Sequence, residues 1–126
     1  MIRFARFAAL APLLAFSHPA AAHIALTSSV PAAKAVVAKP GRLVLTFSDK
    51  LVASKFKAEL TMVSMPGMAD HPPMKISAYT SQLSADGKAV TLLLKQALPA
   101  GGYVLKWWAT GADAHPVTGE LPFSVR

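Results

Sequence analysis

The chain has 126 residues, with 13 Lys and Arg against 6 Asp and Glu for a formal charge of +7, and it has no cysteine. That length suits one domain and not two, and without cysteine there are neither disulfides nor thiolate metal sites. Apart from Arg3, Arg6 and Arg126 the basic residues are spread from Lys34 to Lys106, not gathered into a run and forming no stripe with interleaved aromatics, which argues against a nucleic-acid-binding surface and for a solvated one.

The first 22 residues read as a removable export signal. Arg3 and Arg6 form a positive start, Phe7 to Phe16 an apolar stretch, and Ala20, Ala21 and Ala22 the small residues that a signal peptidase reads. An apolar stretch of about ten residues is too short to span a bilayer, where a helix needs about 20. Cleavage after Ala22 is the best-fitting cut, because one or two residues earlier would put Pro19 or His18 where a small residue is wanted. Removing 22 of 126 residues leaves a domain of 104, residues 23–126, which begins at His23 and carries +5 because Arg3 and Arg6 are lost. The expectation is a soluble, exported protein.

From His23 on, the pattern is that of strands. Ile24 to Ser29 predicts a short first strand, closed by Val30-Pro31 and followed by a loop to Pro40-Gly41. Arg42 to Phe47 alternates, with Leu43, Leu45 and Phe47 on one face, the period of a half-buried strand. Ser48-Asp49-Lys50 breaks it. Phe56, Ala58, Leu60 and Met62 alternate with Lys57, Glu59 and Thr61 to give another strand. Met74 to Tyr79 predicts a fourth, Asp86-Gly87 a hairpin turn, and Ala89 to Leu94 a fifth. After Pro99 to Gly102, the stretch Tyr103 to Ala109 places Tyr103, Leu105 and Trp107 on the core side, and Thr118 to Val125 closes the chain. About seven short strands, with turn signals every 8 to 12 residues or so and no helical period, predict an all-β, two-sheet antiparallel sandwich.

Two groups of residues are not explained by this pattern. Met62 to Met74 holds four of the five methionines, Met62, Met65, Met68 and Met74, together with His71. Pro66-Gly67 and Pro72-Pro73 forbid a helix there, so the segment is a loop hung from a strand end. Thioethers with an imidazole are soft donors that suit Cu(I); the alternative is a methionine-rich loop folded over a core edge. The second group is Gly111-Ala112-Asp113-Ala114-His115-Pro116. On extended backbone, residues two apart point the same way, so Asp113 and His115 can converge on one ion, and Pro116 biases His115 towards extended geometry. The alternative is a turn aspartate beside an exposed histidine. If the signal is removed, His23 adds an α-amine and an imidazole Nδ1 that close a chelate ring. With Asp113 and His115 this makes three nitrogens and one oxygen, a set that suits tetragonal Cu(II).

At this point the chain resembles the CopC-type periplasmic copper-resistance proteins, the CopC/PcoC/YobA family. The likeness spans essentially the whole mature chain. It rests on a histidine directly after an Ala-rich signal, Ser28 to Ala32, Leu45 to Leu51, Met65-Pro66-Gly67-Met68, Gly101-Gly102-Tyr103 with Trp107, and Asp113 to Gly119. The resemblance implies a small cupredoxin- or immunoglobulin-like Greek-key sandwich with a Cu(II) site at His23, Asp113 and His115. It also implies a Cu(I) site at the opposite end that draws on Met62, Met65, Met68, His71 and Met74, and places Asp49 near the Cu(II) site. One departure stands out: two residues, Ala69 and Asp70, separate Met68 from His71 where the family has one. This displaces His71 and Met74, and Asp70 is a harder donor that can compete.

The function expected is a periplasmic copper carrier without catalytic activity, which passes copper to a CopD-type inner-membrane copper permease; that partner is implied by the resemblance alone. Two rivals stay open. One is a copper enzyme with a histidine brace like that of lytic polysaccharide monooxygenases, against which stand Asp113 beside the metal and the lack of an exposed aromatic row. The other is a structural sandwich domain with incidental donors.

Overall fold

A computed structural model describes residues 23–68 and 72–126. The proposed signal, residues 1–22 with His18, and the loop residues Ala69, Asp70 and His71 lie outside the described residues.

The chain forms a sandwich of two sheets whose strands are β1 (Leu26–Val30), β2 (Val36–Val37), β3 (Arg42–Phe47), β4 (Lys57–Ser64), β5 (Met74–Ile76), β6 (Tyr79–Leu83), β7 (Ala89–Leu94), β8 (Gly101–Thr110) and β9 (Pro116–Val125). One sheet runs β1-β3-β7-β6 and the other β2-β9-β8-β4-β5. The all-β sandwich expected from the alternation is thus the fold found.

Three details differ from the sequence expectation. Nine strands are present among the described residues against about seven expected; the strand predicted from Met74 to Tyr79 ends at Ile76, and a further strand, β6, begins at Tyr79. β5 pairs with β4 and β6 with β7, so the chain changes sheets between them. The Tyr79 hydroxyl donates to the Ala58 carbonyl at 2.8 Å and ties that crossing to the opposite sheet. The predicted loop before Pro40 contains the two-residue β2, which pairs with the end of β9 in parallel, so the sheets are not wholly antiparallel. Two residues carry no readable period, and this pairing is set by the partner strand.

The core is the set of inward positions expected from period two: Leu43, Leu45 and Phe47 from β3, Leu60 and Met62 from β4, Val90 and Leu92 from β7, Tyr103, Leu105, Trp107 and Ala109 from β8, and Leu121, Phe123 and Val125 from β9. Trp107 packs edge-to-face on Phe47, with ring centroids 5.1 Å apart. Its indole occupies the space that a side chain at its strand partner Gly119 would need, since a Cβ there would lie 2.5 Å from Trp107 Cζ2. Trp108, one residue on, faces the other way and is flanked by the Lys57 and Lys106 ammonium groups, 5.2 and 5.1 Å from its ring centroid.

The long strand β8 links the two groups of candidate donors. It runs through the centre of its sheet between β9 and β4. Its first residues lie beside the methionine segment, and its last leads into the Asp113 turn.

Candidate metal centre

After Thr110 the chain makes a tight turn in which the Ala114 N–H donates to the Gly111 carbonyl at 3.1 Å. Ala114 has φ 62°, in the left-handed region that a residue with a Cβ rarely adopts. The route by which Asp113 and His115 converge therefore differs from the extended backbone expected from the sequence. The reversal at Ala114 brings the two side chains together, and Asp113 Oδ1 accepts the His115 N–H at 3.3 Å across it. Pro116 opens β9 and ends the turn.

His23 comes to the same place from the other end of the sequence. Its Nδ1 lies 2.6 Å from Asp113 Oδ2, and His115 Nδ1 lies 3.7 Å from the same oxygen. The two imidazole rings stand edge to face with centroids 5.1 Å apart. One donor atom from each of the three residues fits within a span of 4.8 Å. With metal–ligand bonds of about 2 Å, donors in one coordination sphere stand about 2.8 to 4 Å apart, so small side-chain rotations suffice to place all three on one ion. The hydrogen bond from the His23 ring is the main cause that holds the Asp113 carboxyl below its ordinary value of 3.8, with the His115 N–H and the nearby imidazoles adding to it against partial desolvation. Asp113 is thus an anion at neutral pH and an acceptor from both sides. Both histidine side chains are well exposed, at 58% and 70%, so the centre opens to solvent.

Two features that sequence reasoning missed hold His23 there. The Ala25 N–H donates to Ser48 Oγ at 2.9 Å, and the Ser48 N–H donates back to the Ala25 carbonyl at 2.8 Å. Ile24 is buried, and its Cγ2 lies 2.5 Å from where a Cβ on Gly111 would be. Asp49, placed near this site by the resemblance, is bonded through its Oδ1 to the N–H of Lys50, and its neighbour Ser48 makes the link to the His23 segment.

At the other end of β8 the methionines divide into two kinds. A register shift after Met62 marks an irregularity in β4, where the Gly102 N–H donates to Ser64 Oγ at 3.1 Å. The chain then enters a turn over Met65-Pro66-Gly67-Met68, closed by the Met68 N–H on the Met65 carbonyl at 3.0 Å. Proline at its second position and Gly67 at φ 76° in its third are what a type II turn requires. Met65 and Met68 are bridged across this turn, and Met62 and Met74 are opposite each other on β4 and β5. Met68 and Met74 are half exposed, Met65 packs against the core edge, and Met62 is 3% exposed, inside the core. Of the two places that the sequence reading allows Met62, the apolar face of the β4 alternation and the start of the methionine loop, the first is the one found. Its inward position in the β4 alternation buries it. His71 lies outside the described residues.

The family profile described as CopC domain matches residues 26–126. The chain belongs to the CopC domain family. It is 42% identical over 113 residues to copper resistance protein C of Escherichia coli, an alignment covering 90% of this chain and 87% of that protein. To copper resistance protein C of Xanthomonas campestris pv. juglandis it is 42% identical over 119 residues, covering 94% and 88%. The crystal structure of PcoC, a methionine-rich copper resistance protein from Escherichia coli, superposes with a TM-score of 0.74 at 38% identity, over 83% of this chain and all of that one. In this CopC domain the His-Asp-His cluster and the methionine turn sit at opposite ends of β8. Its ten residues, at a rise of about 3.3 Å each, put roughly 30 Å between them.

Proposed function

We propose that this CopC domain is an exported copper carrier of the periplasm, which serves copper resistance or homeostasis and takes copper as its cargo in both oxidation states. Cu(II) is held by His23, Asp113 and His115 once cleavage after Ala22 has freed the His23 amine. The single observation that carries the reading is the convergence of these three residues, from sequence positions some 90 apart, on a span of 4.8 Å. The nitrogen of His23 that faces Asp113 is Nδ1, the ring atom that can close a chelate with its own amine. Relatives named copper resistance protein C, more than 40% identical over most of the chain, support copper as the metal.

Cu(I) is held at the methionine end. The exposures favour Met68 and Met74 as the principal donors, with the partly buried Met65, bridged to Met68 across the turn, and His71 from the loop added. Met62, buried in the core, joins only if its thioether turns outwards. In this reading Asp113 occupies a coordination position that an oxygen-activating centre would leave open, which favours carriage over catalysis. Release by ligand exchange to a CopD-type membrane permease completes the proposal.

The test is separation of the two sites. In processed protein beginning at His23, one extra residue before His23 removes the amine and is expected to weaken Cu(II) binding by roughly tenfold or more, the scale of losing a supporting ligand interaction, while Cu(I) binding persists. Met65→Leu with Met68→Leu is expected to do the reverse. Competition titrations with chromophoric chelators for each oxidation state check both, and equal effects of each change on both states would overturn the two-site reading. Incubation of the copper-loaded protein with chitin or cellulose and a reductant tests the enzymatic rival, which predicts oxidised oligosaccharides.

A further inference from the structure

His23 lies ahead of the first strand and begins the processed protein of the reading above, a position normally free to fray, yet its ring is placed against Asp113 to hydrogen-bonding distance. Something other than that hydrogen bond must hold the backbone. Ile24 is 5% exposed and part of the core, although it precedes β1. It seats against Gly111, the residue that opens the Asp113 turn: a Cβ on Gly111 would lie 2.5 Å from Ile24 Cγ2 and 3.6 Å from Asp113 Oδ1. Gly111 is absent from the positive-φ glycines, which are Gly67, Gly87 and Gly101. Its backbone conformation is therefore open to any residue, and room for Ile24 is what calls for glycine. On the other side, Ser48 grips Ala25 by two hydrogen bonds, of 2.9 Å to its side chain and 2.8 Å from its backbone.

We infer that Ile24, Gly111 and Ser48 form a latch that sets where His23 stands relative to Asp113 and His115, acting as positioning residues for the Cu(II) centre without touching the metal. The inference deepens the Cu(II) reading given above and rests on it. The latch joins the two arms of the site directly. Ile24 is one residue from His23 and Gly111 two from Asp113, so a shift at their contact is carried straight into the donor spacing. Burying Ile24 in the core converts hydrophobic packing into order at a residue that has no sheet partner of its own. Ser48 fixes the remaining rotation of the segment through Ala25.

The experiment uses processed protein beginning at His23 and reads metal-free and metal-bound states separately. In metal-free protein, nuclear Overhauser contacts between the His23 and His115 rings report the latch itself. In Gly111→Ala these contacts are expected to be lost and Cu(II) affinity to fall roughly tenfold or more, with an altered Cu(II) electron paramagnetic resonance spectrum, while Cu(I) affinity at the far end of β8 is unchanged. Adding Ile24→Leu, which lacks the branching Cγ2, is expected to restore the contacts and much of the affinity. Ser48→Ala should act in the same direction, and Ser48→Thr, which keeps the acceptor oxygen, should not; these milder variants serve if Gly111→Ala fails to fold. The inference is overturned if Gly111→Ala and Ser48→Ala keep wild-type ring contacts and Cu(II) affinity, or if they lower Cu(I) and Cu(II) binding alike, as a general loss of fold would. Wild-type protein that shows the ring contacts yet binds no Cu(II) would refute the copper reading and leave the latch standing.

Discussion

Asp113 is the residue on which the His-Asp-His cluster depends. It accepts from the His23 ring and from the His115 backbone, and both favour its charged form. A carboxyl whose folded-state value is depressed contributes stability that is complete above its ordinary value of 3.8 and is lost as the pH falls through the lower folded value. Metal-free wild-type protein is therefore expected to lose more stability than Asp113→Asn as the pH falls from about 4.5 to below 3.8, and the two should run parallel above that window. Urea denaturation at a series of pH values checks this. The same substitution removes the anionic donor, so Cu(II) affinity at neutral pH should fall by roughly tenfold or more while Cu(I) affinity holds. Asp113 and His115 are visible in the sequence as a pair. What could not be read there is how they meet: the left-handed Ala114 replaces the extended geometry that the spacing suggests, because only a reversal lets β8 return as β9.

At the scale of the element, β4 shows why a residue type alone does not define a ligand. Its alternation buries Leu60 and Met62 on one side, with Ala58 packed against the core, and turns Lys57 and Glu59 towards the other; Met62 is the last inward position before the irregularity at Ser64. Beyond Ser64 the chain leaves the sheet for the turn, where Met68 is half exposed while Met65 still packs against the core edge. Met62→Ala is accordingly expected to cost about 2–5 kcal/mol of stability, the range for truncating a buried methionine, whereas Met68→Leu should change stability by less than about 0.5 kcal/mol, as is usual for surface positions. Chemical denaturation of both variants decides between a packing and a surface role for each sulfur. The Pro66-Gly67 signal marks the turn correctly in the sequence. The division of labour among the four methionines was not legible, because it depends on where the register of β4 with β8 breaks.

At the scale of the molecule, the two donor groups are kept apart by the rigid length of β8. Sites roughly 30 Å apart with no shared partner should respond independently. A protein carrying both the extra residue before His23 and the Met65→Leu, Met68→Leu changes is expected to show each single defect undiminished and neither enlarged. Coupling of more than about 0.5 kcal/mol in the double-variant cycle would point to communication through the sheet. Separation also suits a carrier, since a soft and a harder cluster at opposite poles can be offered to different surroundings without competing for one ion.

The sequence by itself determined the class of the fold, most strand positions and which side chains have the chemistry to serve as donors. Period-two alternation in Arg42–Phe47 or Tyr103–Ala109 follows from the backbone's own geometry, and soft or hard donor character is intrinsic to the side chain. The meeting of His23 with Asp113, the sheet change between β5 and β6, and the part played by Ser48, Ile24 and Gly111 were decided only in three dimensions. Each is a contact between segments far apart in the chain, and local preference carries no information about which distant surface a residue will come to rest against.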